Sequence, residues 1–101
     1  MKLQITPEIE IIEETKNALE PLYRILIHND HVTPMDFVLR ILTAIFYLGT
    51  DSATEVMLKA HITGMAYVQS ISKIEAEKRI NQAHFTAELQ GFPLHFSMEP
   101  E

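Results

Sequence analysis

The chain has 101 residues, 47% of them hydrophobic and 22% charged, with eight basic residues against fourteen acidic ones for a net charge of −6. This is one domain of ordinary globular composition, too short for a multi-step enzyme with its own cofactor domain. The acidic balance excludes a general nucleic-acid binder, which needs a basic stripe to displace counterions from phosphates, and docking on an anionic membrane. The absence of cysteine excludes disulfides and thiolate metal sites. The opening MKLQITPEIE has no long apolar stretch of the secretory-signal kind. The most apolar run, Val38 to Leu48, is broken by Arg40 and falls well short of the ~20 residues a membrane span needs. The expectation is a small, acidic, soluble, intracellular domain.

Residues 1–21 stand apart. They carry Glu8, Glu10, Glu13, Glu14 and Glu20 and two prolines, and Ile9, Ile11 and Ile12 keep neither a helical nor a strand period. They read as a flexible arm, with a short packed strand or helical turn as the alternative. Residues 22–101 read as the folded core. Leu22 to His28 (LYRILIH) is short, apolar and rich in strand formers. Asn29 to Val32 reads as a loop. Thr33-Pro34-Met35-Asp36 is a helix start, with Thr33 as cap and Pro34 in the first helical position. Apolar residues at 37, 38, 41, 42, 45, 46 and 48 carry that helix to a stop at Gly49.

A second helix opens at Thr50-Asp51-Ser52, where Ser52 and Glu55 have capping-box spacing, and closes at Gly64. Val56, Met57 and Ala60 form its apolar stripe. Met65 to Ile71 reads as a second strand. Ser72, spaced from Glu75 as in a capping box, opens a third helix whose expected buried side is Ile74, Ile80, Ala83, Phe85 and Ala87. Gly91 and Pro93 end it, and Leu94 to Met98 alternates as a third strand. The order β-α-α-β-α-β predicts a two-layer α/β (α+β) sandwich, a three-stranded sheet with helices on one face.

No nucleophile elbow, phosphate loop, dinucleotide fingerprint or zinc-protease helix is present, so the reading is non-enzymatic. The unusual stretch is His28-Asn29-Asp30-His31, with His61 at the end of the following helix. Asn and Asp here are turn formers, and His61 suits a helix C-terminus. The same residues could also form a polar cluster at the mouth of an apolar pocket. A zinc site from His28, Asp30, His31 and His61 would need ligands converging at about 2.0–2.2 Å, and the spacing matches no zinc motif. No metal or cofactor is expected.

The run Tyr23 to Val38 (YRILIHNDHVTPMDFV), followed by Ala53-Thr54-Glu55-Val56-Met57-Leu58-Lys59-Ala60-His61, Gly64-Met65-Ala66 and Pro93-Leu94, resembles the ClpS family over about residues 22–99. Members of that family are adaptors that carry N-end-rule substrates to a AAA+ unfoldase of the ClpA type. The resemblance implies a bacterial cytoplasmic adaptor. It would bind the first residue of proteins beginning with Leu, Phe, Tyr or Trp and dock on the N-terminal domain of the unfoldase. Asn29 and His61 match the groups that contact the substrate α-amine, and Asp30 and Thr33 match the rim. Met35, Val38, Met57 and Leu94 match the pocket walls, with Ile27 at the floor. Met35 matches the gate against β-branched residues. Ala60 stands where valine is common. Arg79 matches a basic unfoldase-contacting position, and Ile74 stands at the acidic one, with Glu75 and Glu77 beside it. The resemblance also implies that the arm before Leu22 is a tether.

One departure is chemically important. The family's second aspartate after Asn-Asp, a charged acceptor for the amine, is His31 here. This keeps open an interaction module of the same fold without N-degron binding. The fold would then serve as in the similar C-terminal domain of the ribosomal stalk protein. A monomer is expected, because nothing in the sequence indicates oligomerisation.

Overall fold

The computed structural model describes residues 20–101, and the predicted arm lies almost wholly outside them. Six elements follow in the expected order: β1 (Leu22–His28), α1 (Met35–Ala44), α2 (Thr50–Thr63), β2 (Met65–Ser72), α3 (Lys73–Leu89) and β3 (His95–Pro100). The sheet is antiparallel throughout, with order β2-β1-β3. β1 is therefore central, which explains its run of three buried residues, Ile25, Leu26 and Ile27. In register, Ile27 faces Ala66 of β2 and Phe96 of β3. Between Ile25 and Leu26 the pairing slips past Val68, a bulge. Val68 is buried, and Gln69 next to it donates its side-chain amide to the Phe46 carbonyl at 2.9 Å.

The core lies between this sheet and the helices. Phe46 and Phe96 are its largest fully buried side chains, and their rings sit 4.7 Å apart. Phe37 of α1 meets Phe92 edge-on at 5.0 Å. Along α3 the buried residues are Ala76, Ile80, Ala83 and Ala87. The small alanines on this stripe let the helix approach the sheet closely.

Several local expectations are corrected. Thr33 does not cap α1: Pro34 is the cap residue, in extended conformation, and its carbonyl accepts from Val38 N–H at 3.1 Å. The Thr33 hydroxyl is donated to Asp30 instead. α1 ends at Ala44 rather than at Gly49, because Tyr47 takes the left-handed conformation (φ 57°) and turns the chain. Leu48 N–H then closes on the Leu42 carbonyl at 3.1 Å. α2 consequently begins two residues earlier than Ser52, with Gly49 as its cap, and the Ser52–Glu55 capping box does not form. The Ser72 cap of α3 does form, its hydroxyl oxygen accepting from Glu75 N–H at 3.4 Å. Ile74 and Phe85 are exposed, not buried, because each lies about 200° around the helix from the alanine stripe. Leu94 is buried but precedes β3. Gly64 ends α2 with φ 94°, a conformation that suits glycine. No described helix is long and apolar enough to cross a membrane.

Candidate functional site

The segment joining β1 to α1, residues 29–34, is held by two devices. Asn29 N–H donates to the Gly64 carbonyl at 2.9 Å, which ties it to the left-handed end of α2. Asp30 folds the rest around its carboxylate. Its Oδ1 accepts from Val32 N–H at 2.8 Å and Thr33 N–H at 2.6 Å, and its Oδ2 accepts from the Thr33 hydroxyl at 2.9 Å. Partial burial alone would raise the carboxyl. The Thr33 and Val32 N–H bonds, the Thr33 hydroxyl and nearby His31 outweigh it, so Asp30 titrates below the usual 3.8. The expectation of a rim residue is refined by this geometry: the Asp30 carboxylate is the organiser of the turn.

This turn forms one side of a cavity of about 330 Å³. Every pocket and rim residue named from the sequence lines it. Ile27 comes from β1. Asn29, Asp30, His31 and Thr33 come from the turn. Met35 and Val38 come from α1, Met57, Ala60 and His61 from α2, and Leu94 from the segment before β3. Five of the apolar members (Ile27, Val38, Met57, Ala60, Leu94) are buried core residues, so the cavity is floored by the core itself. Met35 is 44% exposed and stands at the opening. His31 and His61 are exposed and Asn29 is half-buried. None of these three side chains has a hydrogen-bond partner among the described residues. Within the described residues their acceptor atoms are thus left unengaged, whereas the Asp30 carboxylate is taken up by the turn.

Three further residues border the cavity: Val32 and Pro34, to which sequence reasoning assigned no role at the site, and His28, a member of the expected polar cluster. His28 Nε2 lies 2.6 Å from Ser97 Oγ, and its ring is 5.0 Å from that of His95, its register partner on β3. Only the β1–β3 pairing brings these groups together, so no local signal could have revealed them. Among the described residues, no cluster of three or more His, Asp or Glu is arranged to hold a metal.

Arg79 and Glu75 lie away from the cavity, on α3. They form an i,i+4 ion pair at 2.9 Å. Arg79 also donates to Gln69 Oε1 at 3.0 Å, and its guanidinium sits 4.8 Å from the centre of the Tyr47 ring. Its side chain is only 18% exposed. Arg79 thus joins α3 to β2 and to the turn after α1.

The profile of the family described as ATP-dependent Clp protease adaptor protein ClpS matches residues 18–97. A relative from Desulforapulum autotrophicum, named ATP-dependent Clp protease adapter protein ClpS, is 39% identical over 88 residues, covering 87% of this chain and 85% of its own. One of the same name from Vibrio cholerae is 35% identical over 97 residues, covering 94% and 92%. The structure of Agrobacterium tumefaciens ClpS2 bound to L-phenylalaninamide superposes with a TM-score of 0.76 at 37% identity, covering 80% of this chain and 98% of that one. Fold, cavity-bearing segment and sequence converge: the chain belongs to the ClpS family of Clp protease adaptors, which are not enzymes.

Proposed function

We propose that this adaptor binds proteins through a free N-terminal Leu, Phe, Tyr or Trp and delivers them to a ClpA-type unfoldase of the Clp protease. The observation that carries the reading is the composition of the cavity: an apolar, core-floored chamber with three acceptor side chains around it that have no partner among the described residues. An α-ammonium offers donors and no acceptor, and the Asn29 oxygen and neutral His31 and His61 nitrogens are its complement. Seating the adjoining side chain among Ile27, Val38, Met57 and Leu94 contributes about 1.5–3 kcal/mol. An internal leucine brings no amine and leaves the acceptors unpaired. Met35 at the opening serves as the gate against β-branched first residues. L-Phenylalaninamide, the ligand of the Agrobacterium neighbour, combines a free amine with an aromatic side chain, and this supports the same ligand class here.

His31 replaces a charged acceptor by a neutral one. The amine is accordingly held more weakly than by a charged acceptor. Residues 1–21 act as the tether during transfer, and the protein works as a cytoplasmic monomer. Fluorescence anisotropy with peptides differing only at residue one tests the core of the proposal. Leu, Phe, Tyr and Trp peptides bind, whereas Ile, Ala and acetyl-Leu peptides do not. Equal binding of the acetylated peptide, or no binding by any, overturns it and leaves a module that uses the fold without N-degron contact.

A further inference from the structure

Three imidazoles form a row across one end of the sheet. His28 closes β1, His95 opens β3, and His84 projects from α3. The His28 and His95 rings are 5.0 Å apart, and His95 and His84 are stacked at 5.4 Å with 13° between their planes. His84 Nε2 accepts the Phe96 N–H at 2.9 Å. A ring nitrogen that accepts an N–H carries no proton, so this contact holds the hydrogen of neutral His84 on Nδ1. Phe96 N–H points away from β1, on the open edge of β3, and has no other acceptor among the described residues. Two residues before it stands Leu94, which walls the cavity on one side and, with His84 and His95, a shallow groove on the other.

An imidazolium has only donors. Once His84 is protonated, Nε2–H confronts the Phe96 N–H and the bond is lost. The charged and titratable groups around this ring are few. His95 on β3 lies against its face, Glu88 is one turn further along α3, and His28 on β1 lies beyond His95. Burial and His95 disfavour the charge and outweigh the favourable pull of Glu88, and the Phe96 N–H, which binds only the unprotonated nitrogen, works in the same direction, so His84 titrates below its usual 6.5.

We propose that His84 is a proton-sensitive positioning residue for the cavity: its neutral ring anchors the start of β3, and with it Leu94 in the wall, and protonation releases both. The anchoring of β3 stands on the geometry alone. Its effect on ligand affinity rests on the function proposed above.

The test is amide hydrogen exchange of the full chain by NMR at pH 7.5 and pH 5, corrected for the intrinsic pH dependence, together with L-phenylalaninamide titrations at both pH values. Protection of the Phe96 amide is expected to fall by about tenfold at the lower pH, the worth of one backbone hydrogen bond. In His84→Gln, whose side-chain oxygen accepts the same bond and does not titrate, protection stays constant, and the loss of affinity at low pH shrinks. In His84→Leu it is low at both pH values. His31→Gln leaves the Phe96 amide as in the parent. Should His84→Gln not fold, His95→Gln serves instead, and by removing the neighbouring charge it moves the loss of protection to higher pH. A Phe96 amide equally protected at both pH values in the parent overturns the proposal. So does a pH-dependent loss that persists in His84→Gln. Absence of phenylalaninamide binding at every pH would refute the ligand reading and leave the exchange result to decide the role of His84.

Discussion

Replacing Arg79 by alanine separates two roles that one residue could have, support of the fold and contact with the unfoldase. Its interactions give the magnitude. The i,i+4 pair with Glu75 at 2.9 Å is half-exposed on the glutamate side and is worth about 0.3–0.5 kcal/mol. The bond to Gln69 Oε1 contributes about 1 kcal/mol, since its loss leaves a half-buried amide oxygen without its partner. The guanidinium over Tyr47 adds about 0.5–1 kcal/mol at an exposed site. A loss near 2 kcal/mol follows, which for a domain of this size lowers Tm by roughly 10 °C. Thermal denaturation followed by circular dichroism reads it directly. Arg79→Lys keeps the charge but not the fork that reaches Glu75 and Gln69 together, so it should recover less than half of the loss. If Arg79→Ala melts with the parent while binding of an isolated ClpA-type N-terminal domain is lost, the structural account of Arg79 is wrong and the residue is a docking contact.

Three further outcomes are expected. His31→Asp restores a carboxylate at the opening, and anisotropy should show amine-bearing peptides bound about 10–100-fold more tightly. Asp30→Ala frees Val32 N–H, Thr33 N–H and the Thr33 hydroxyl at once. It should cost about 1–3 kcal/mol in urea unfolding and loosen ligand binding. Because the folded-state pKa of Asp30 is depressed, its contribution is complete above pH 3.8 and fades as pH falls through the lower folded value. Asp30→Asn should lack that acid-dependent loss. Gly64→Ala places a side chain at φ 94°, where nothing crowds the new methyl group, so its cost is conformational, about 1–2 kcal/mol by the same unfolding assay.

The parts of the fold that rest on periodicity were legible from the residues. β1 stood out because a central strand is apolar along most of its length, and α3 because Ile80, Ala83 and Ala87 keep a 3.6-residue period. What sequence could not convey was where rival local signals lose. Gly49 looked like a helix stop, yet Tyr47 makes the turn, its ring under the Arg79 guanidinium contributed from 32 positions further along. Ser52 looked like a cap, but that earlier turn lets α2 begin ahead of it. At the site, residue identities came from a resemblance, and their convergence on one cavity needed five separate segments to be placed. The His84–Phe96 contact and the His28–His95–His84 row had no signature at all, because each partner is unremarkable within its own segment and meaningful only across the sheet register.

The cavity draws its lining from Ile27 near the beginning of the folded domain and from Leu94 beside its last strand. β1, at the centre of the sheet, can pair on both sides only when β2 and β3 have been synthesised, and β3 lies some 70 positions after its partner. Closing contacts of such long range is slow, and a growing chain cannot make them early. A chain that lacks β3 therefore lacks one wall of the cavity. A ribosome-bound chain stalled before β3 would present the loop of Asn29 without a wall opposite it. The cavity is thus complete only when the last-made strand of the sheet is in place, and the wall that Leu94 supplies arrives in the same step as the second pairing of β1.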